Sequence, residues 1–227
     1  LSLAIWIPIA FGIAILAAGR DRNANVIRAV ALAGSLVGLL VTVPLYTGFD
    51  AASAELQFVE KAVWIERFNA HYHLGIDGLS VWFVLLTAYI TVIVVLAGWE
   101  VIQDRVAQYY AAFLILSGLM VGVFSAVAGL LFYVFFEATL IPMYIIIGVW
   151  GGANRVYAAF KFFLYTLLGS LLMLVALVYL YYASDGSFAI FDWHATPLGR
   201  TPQILLFLAF FMAFAVKVPM WPVHTWL

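Results

Sequence analysis

The chain has 227 residues, 67% hydrophobic and 9% charged, with a mean hydropathy of +1.12 and a formal net charge of −1 at pH 7. That much apolar surface exceeds what a soluble core of this size hides, so the chain is an integral membrane protein. Its basic residues are scattered and leave no electrostatic footprint for nucleic acid, and the lack of cysteine excludes disulfides, thiolate-held zinc and cysteine-ligated iron–sulfur clusters.

A first span is expected at 3–18, followed by Arg20 and Arg22. A signal peptide carries its positive charge ahead of the apolar stretch, so the reverse order reads as a short membrane helix with its amino end outside. The first residue is Leu rather than Met, from which a missing or processed start is inferred. A second span is expected at 26–46, entered from Arg28 and with Pro44 near its exit. Residues 47–78, with Asp50, Glu55, Glu60, Lys61, Glu66, Arg67, His71 and His73, read as the one long extramembrane segment. In an extended backbone His71 and His73 share a face, as two metal ligands would. No third ligand stands near, and two interfacial histidines are the simpler reading, so no metal site is expected.

Asp77-Gly78-Leu79-Ser80 opens a third span at 79–99, with Asp77 placed to accept from the orphan amides of the helix start. From Tyr109 to Trp150 only Glu137 is charged, over about 42 residues or roughly 63 Å, twice a hydrocarbon core of ~30 Å. Two helices, 109–126 and 130–150, are therefore expected, reversing at the small residues 126–129. Gly118 and Gly122, four apart, suit close helix packing. A sixth span is expected at 156–182, where Lys161 reads as a snorkelling lysine beside Arg155, with a share in a proton route as the alternative. The seventh, at 203–227, follows Pro202 and is broken by Pro219 and Pro222. With the first residue outside, inner loops carry Arg20, Arg22, Arg28, Arg105, Arg155 and Lys161 against Lys61, Arg67 and Arg200 outside, in keeping with the positive-inside rule. The expectation is one all-α membrane domain over 1–227, a polytopic helix bundle of about seven spans.

Two charges stand inside apolar runs. A charge near the bilayer centre costs about 2.5–3.5 kcal/mol or more, so Glu137 is the first functional candidate. Pro142 lacks the amide that would bond the carbonyl of Ala138, next to that carboxylate. Lys217 comes about 15 residues after Pro202, short of the ~20 needed to cross, which favours an intramembrane position over a snorkelling one. Pro219 and Pro222 then remove two donors within a turn, and transporters place ion sites at such breaks. His224 titrates in a range suited to proton relay, and equally suits an interhelix hydrogen bond.

The runs HLGIDGLSVWFVLLT (73–87), FFEATLIPMYIIIGVWGG (135–152), AAFKFFLYTLLGS (158–170) and AFAVKVPMWPVHTWL (213–227) resemble the antiporter-like subunit M of respiratory complex I, NADH-quinone oxidoreductase, called chain 4 in mitochondria. The resemblance extends over nearly the whole chain, and E-A-x-L-I-P-M from Glu137 to Met143 is closer to subunit M than to its sisters L and N. It implies a proton-pumping subunit with roughly twice as many spans. The glutamate of the fifth span and the lysine of the broken seventh, which pair in that family, match Glu137 and Lys217, with His224 and Lys161 as candidate relays and the break at Pro219 and Pro222 giving water access. Neighbouring opposite charges lower each other's cost and tie their protonation together.

The resemblance also implies that NADH, flavin mononucleotide, iron–sulfur clusters and quinone bind other subunits and that this chain holds no cofactor. Its implied partners are other membrane subunits, the L-like and N-like antiporter subunits, with lipid bilayer and protons. Its implied location is a bacterial inner (plasma) membrane rather than a mitochondrial one. The charged residues expected on the eighth and twelfth spans, and the second broken helix, are not among these residues. Two other readings stay open: an Mrp-type Na+/H+ antiporter subunit, or a subunit of a hydrogenase-linked or photosynthetic relative. A third has Glu137 and Lys217 as a buried pair that only fixes helix register.

Overall fold

The computed structural model describes residues 1–18 and 23–227, so Arg20 and Arg22 lie outside the described residues. Helices α1 (Ser2–Ala18), α2 (Ala24–Thr47), α3 (Ser80–Val101), α4 (Val106–Ser125), α5 (Gly129–Ala138), α6 (Leu140–Trp150), α7 (Arg155–Ala183), α8 (Ile190–Ala195) and α9 (Arg200–Lys217) dominate the chain. With α5 and α6 counted together, six segments are at least 18 residues long and apolar enough to cross a membrane; α1, just shorter, is the seventh apolar helix. The fold is thus the all-α bundle of about seven spans.

The polar stretch 47–78 is not featureless. Two strands, β1 (Gln57–Ile65) and β2 (Ala70–Ile76), pair in a two-stranded sheet, joined by a 3-10 turn at Glu66–Phe68 and by Asn69 at φ +48°. Val59, Val63, Trp64 and Ile65 are strand formers, and Asn tolerates the left-handed region at little cost. Past β2, Asp77 Oδ1 accepts from the amides of Leu79 (3.1 Å) and Ser80 (2.7 Å), while the Asp77 amide donates back to Ser80 Oγ (2.8 Å). This reciprocal cap starts α3.

The chain packs as two compact units, residues 1–61 with 73–126 and residues 62–72 with 127–227. In the first, α1 to α4 form a four-helix bundle whose largest interface is α1 on α4. Gly118 explains that contact: a Cβ there would lie 2.3 Å from the carbonyl oxygen of Ile5, so only glycine admits the backbone this close. At one end of the bundle Ile15, Ile27, Ala31, Val95, Tyr110 and Leu114 pack together.

Beside them Arg28, counted from sequence among the inner-loop cations, is only 7% exposed. Its guanidinium donates to the Ile102 carbonyl (2.9 Å), Gln103 Oε1 (3.2 Å) and Asn25 Oδ1 (3.1 Å). A cation on the last carbonyls of α3 answers the partial negative charge of a helix C-terminus.

In the second unit α7 carries the packing, against α9 on one side and α6 and α5 on another. Gly169 of α7 brings Val216 of α9 close. The loop after α7 contains the short helix α8, whose Trp193 covers Gly129 and donates from Nε1 to the Ser187 carbonyl (2.9 Å).

Candidate functional site

The fifth span is interrupted at Thr139. Helix α5 ends at Ala138 and α6 begins at Leu140, and the backbone bonds across the join are long: Thr139 N to Phe135 O at 3.2 Å and Met143 N to Thr139 O at 3.4 Å. Pro142 gives the physical reason, since it has no amide for the carbonyl four residues before it. Glu137 stands two residues before the interruption.

The seventh span is interrupted in turn. Helix α9 stops at Lys217, and residues 218–226 continue as turns with a cis Trp221–Pro222 peptide. The last carbonyls of α9 find partners all the same. Val218 N donates to Phe214 O (2.9 Å), Met220 N to Ala215 O (2.8 Å), and the indole of Trp226 to Val216 O (2.8 Å). Trp226 in turn packs on Phe162 of α7, ring centroids 5.1 Å apart. A broken helix at membrane depth persists only when its backbone groups are satisfied in this way.

The two breaks face each other within the second unit. The Lys217 ammonium donates to Thr139 Oγ1 at 3.2 Å and lies 4.4 Å from the centroid of the Phe136 ring. Thr139 is itself buried and passes its own proton to the Phe136 carbonyl at 2.7 Å. Phe214 meets the Phe136 ring edge-on and holds that face in place. A cation over an aromatic face inside a dry environment is held by about 2 kcal/mol.

Glu137 is half-buried, but both carboxylate oxygens are shut off from solvent and accept no hydrogen bond. Ser170 of α7, Tyr133 and Lys217 are the polar groups that act on it. The Ser170 hydroxyl, 1% exposed, spends its proton on the Leu167 carbonyl at 2.9 Å. Among the described residues Glu137 and Lys217 form no ion pair within 4 Å, and the two opposite charges act on each other from a longer distance. A carboxylate so placed accepts a proton or a water without first breaking an existing bond.

The other sequence candidates lie apart from this centre. Pro219 and Pro222 fall in the turns after α9. His224 is exposed among those turns, and Lys161 is half-buried in the second turn of α7. Among the described residues no hydrogen bond or ion pair links either to Glu137 or Lys217. His71 and His73 both lie on β2, and among the described residues no group of three or more His, Cys, Asp or Glu is arranged to hold a metal. Thr139, Phe136 and Ser170 complete the site and were not singled out from sequence. The first two lie within the E-A-x-L-I-P-M run or next to it, and Ser170 closes a second quoted run, so position was available but role was not.

Two family profiles match the chain. One, described as NADH-ubiquinone oxidoreductase chain 4, amino terminus, covers residues 39–126, and the other, described as NADH:quinone oxidoreductase/Mrp antiporter, TM, covers 126–227. The chain is 47% identical to NADH-quinone oxidoreductase subunit M of Rhodobacter capsulatus, over 100% of this chain and 47% of that one. It is 46% identical to NADH-ubiquinone oxidoreductase chain 4 of Arabidopsis thaliana, over 89% of this chain and 41% of that one. A solved structure, respiratory complex I from Thermus thermophilus with bound NADH, contains a chain that superposes with a TM-score of 0.87 at 31% identity, over 100% of this chain and 45% of that one. The chain therefore spans about half the length of the curated relatives it matches.

Proposed function

We propose that this chain, which belongs to the subunit M (chain 4) family of NADH-quinone oxidoreductase, carries a proton-translocating site of that complex, built on Glu137 and Lys217. The observation that carries the reading is the coincidence of charge and break: each of the two residues stands where its own membrane helix is interrupted, and the interruptions meet at Thr139. Two charges that interact without touching exchange influence by changing their separation. A displacement of α9 or of the α5–α6 join alters how firmly Lys217 holds its proton, and the turns after Lys217 give that proton a path that an unbroken helix would close.

In this role the chain performs no redox chemistry. NADH, flavin, iron–sulfur clusters and quinone belong to other subunits, and the enzyme activity is that of the complex. The membrane partners are the L-like and N-like antiporter subunits, and the location is a bacterial inner membrane. Mrp-type Na+/H+ exchange is the second reading, because the profile over 126–227 describes both kinds of protein.

The test is Glu137→Gln in the full-length protein, in membrane vesicles, with assembly checked on a native gel. Joint loss of NADH-driven quinone reduction and of protons moved per electron, at normal assembly, is the expected result. Wild-type turnover and stoichiometry in the assembled variant would reduce the pair to a packing device. Sodium movement that persists without NADH would point to the antiporter reading.

A further inference from the structure

Away from the Glu137 and Lys217 breaks, the first unit encloses a small cavity of about 10 Å³ where α1, α2, α3 and α4 come together, with a largely apolar lining that includes three hydroxyl side chains. Ala4 and Pro8 of α1 line it together with the hydroxyl residues Ser35 of α2, Thr91 of α3 and Ser117 of α4. The three hydroxyl residues are 2%, 8% and 4% exposed, so none has access to bulk water. Buried polar groups need partners, and a count of donors and acceptors shows which are left over.

Pro8 has no amide, so the carbonyl four residues before it, that of Ala4, lacks its helical donor. Ser35 Oγ donates to the Leu32 carbonyl at 2.9 Å and keeps lone pairs to accept with. Thr91 Oγ1 lies 2.7 Å from the Thr87 carbonyl and 2.8 Å from Ser117 Oγ. When the Thr91 proton is given to Ser117, the Ser117 proton has no acceptor of its own. In that arrangement the cavity gathers one spare donor, from Ser117, and two spare acceptors, Ala4 O and Ser35 Oγ; in the other, with the Thr91 proton on the Thr87 carbonyl, Ser117 donates to Thr91 and a water can only donate. Its volume is that of a single water site, and a buried water typically makes about three hydrogen bonds.

We propose that this cavity is a binding site for one ordered water molecule, which accepts from Ser117 and donates to the Ala4 carbonyl and to Ser35. The water ties α1 to α2 and α4 at the depth where Pro8 interrupts the hydrogen-bond ladder of α1, and so replaces the missing amide. Thr91 and Ser117 also line a separate groove of about 190 Å³ on the α3–α4 face.

The experiment is electron cryo-microscopy of the full-length protein in its purified membrane assembly, at a resolution where other buried waters are seen in the same map. A peak at roughly 2.7–3.2 Å from Ser117 Oγ, Ser35 Oγ and Ala4 O is expected, and its loss in Ser117→Ala. A wild-type map with no peak there overturns the proposal, as does a peak that stays at full height in Ser117→Ala. Because the wild-type map decides by itself, the result does not depend on the variant assembling, nor on the proton-translocating role of Glu137 and Lys217.

Discussion

Thr139→Val separates the role of the hydroxyl from that of the helix break. The side chain is 7% exposed and its Oγ1 accepts from the Lys217 ammonium at 3.2 Å. Valine keeps the branched shape and removes only that acceptor. A hydrogen bond to a charged group contributes about 1.5–3 kcal/mol, so the population with Lys217 docked on α5–α6 falls by about 10- to 150-fold at most. The Phe136 ring, 4.4 Å from the ammonium, is unaffected and still attracts it, by about 2 kcal/mol. A partial loss is therefore expected rather than abolition: NADH-driven turnover and protons per electron fall together in vesicles containing fully assembled complex. Thr139→Ser retains the acceptor and should stay near wild type. If Thr139→Val assembles and pumps with unchanged turnover and stoichiometry, the docking of Lys217 on this hydroxyl has no part in the cycle.

Two further outcomes follow from the structure. Gly118→Ala puts a Cβ 2.3 Å from the Ile5 backbone oxygen, which cannot rotate away, so about 1–3 kcal/mol of overpacking should lower the thermal midpoint of the assembled complex. Gly152→Ala, with nothing within 4 Å, is the matched control and should leave it unchanged. At the start of α3, the Ser80 amide donated to Asp77 holds that carboxyl below the usual Asp range. A depressed folded value means the stabilisation is complete above the unfolded value of about 3.9 and disappears as pH falls through the lower folded value. Asp77→Asn, which does not titrate and lacks the ionised carboxylate, should melt below wild type near neutrality and converge with it as pH falls below about 4, with a flatter profile over that range. An unchanged acid slope would remove Asp77 from the account.

What the sequence disclosed was of one kind: signals that need no knowledge of neighbours. A carboxylate in an apolar run, a lysine too early to reach the interface and prolines that withhold amides are local facts. They singled out Glu137, Lys217 and the break of the seventh span; the fifth was expected as one helix, 130–150, with only the Ala138 carbonyl loosened, and its interruption falls one residue beyond that carbonyl. Span limits followed from length, so 79–99 and 156–182 lie within a few residues of α3 and α7. Thr139, Phe136 and Ser170 were hidden because their roles depend on which helix faces which, and the weak periodicity of an all-apolar helix does not encode that. Arg28 was misplaced for a related reason. Counting positive charges treats every cation near a span end as a loop residue, whereas this one is drawn inward by the carbonyls at the end of α3. The hairpin at 57–76 was masked by its charges: polarity alone marked the stretch as extramembrane, and the β-branched and aromatic residues between the charges carried the strand signal.

The arrangement at the two breaks also bears on whether the pair is a device for helix register. A buried pair kept for register is cheapest in direct contact, with every remaining lone pair and proton satisfied, because each unmet charge inside costs several kcal/mol. Here the carboxylate accepts nothing, the ammonium rests on a neutral hydroxyl and a ring, and the two do not touch. Pro142 withholds one backbone bond beside the carboxylate, and a register device gains nothing from that. A proton carrier gains on each count. An unpartnered carboxylate is ready to accept, an ammonium with no anion in contact has no ion pair to break, and interrupted helices admit the water or motion that connects them. Features that are expensive as packing become economical when the pair changes state, and this favours the proposed proton-carrying role of Glu137 and Lys217 over a register device.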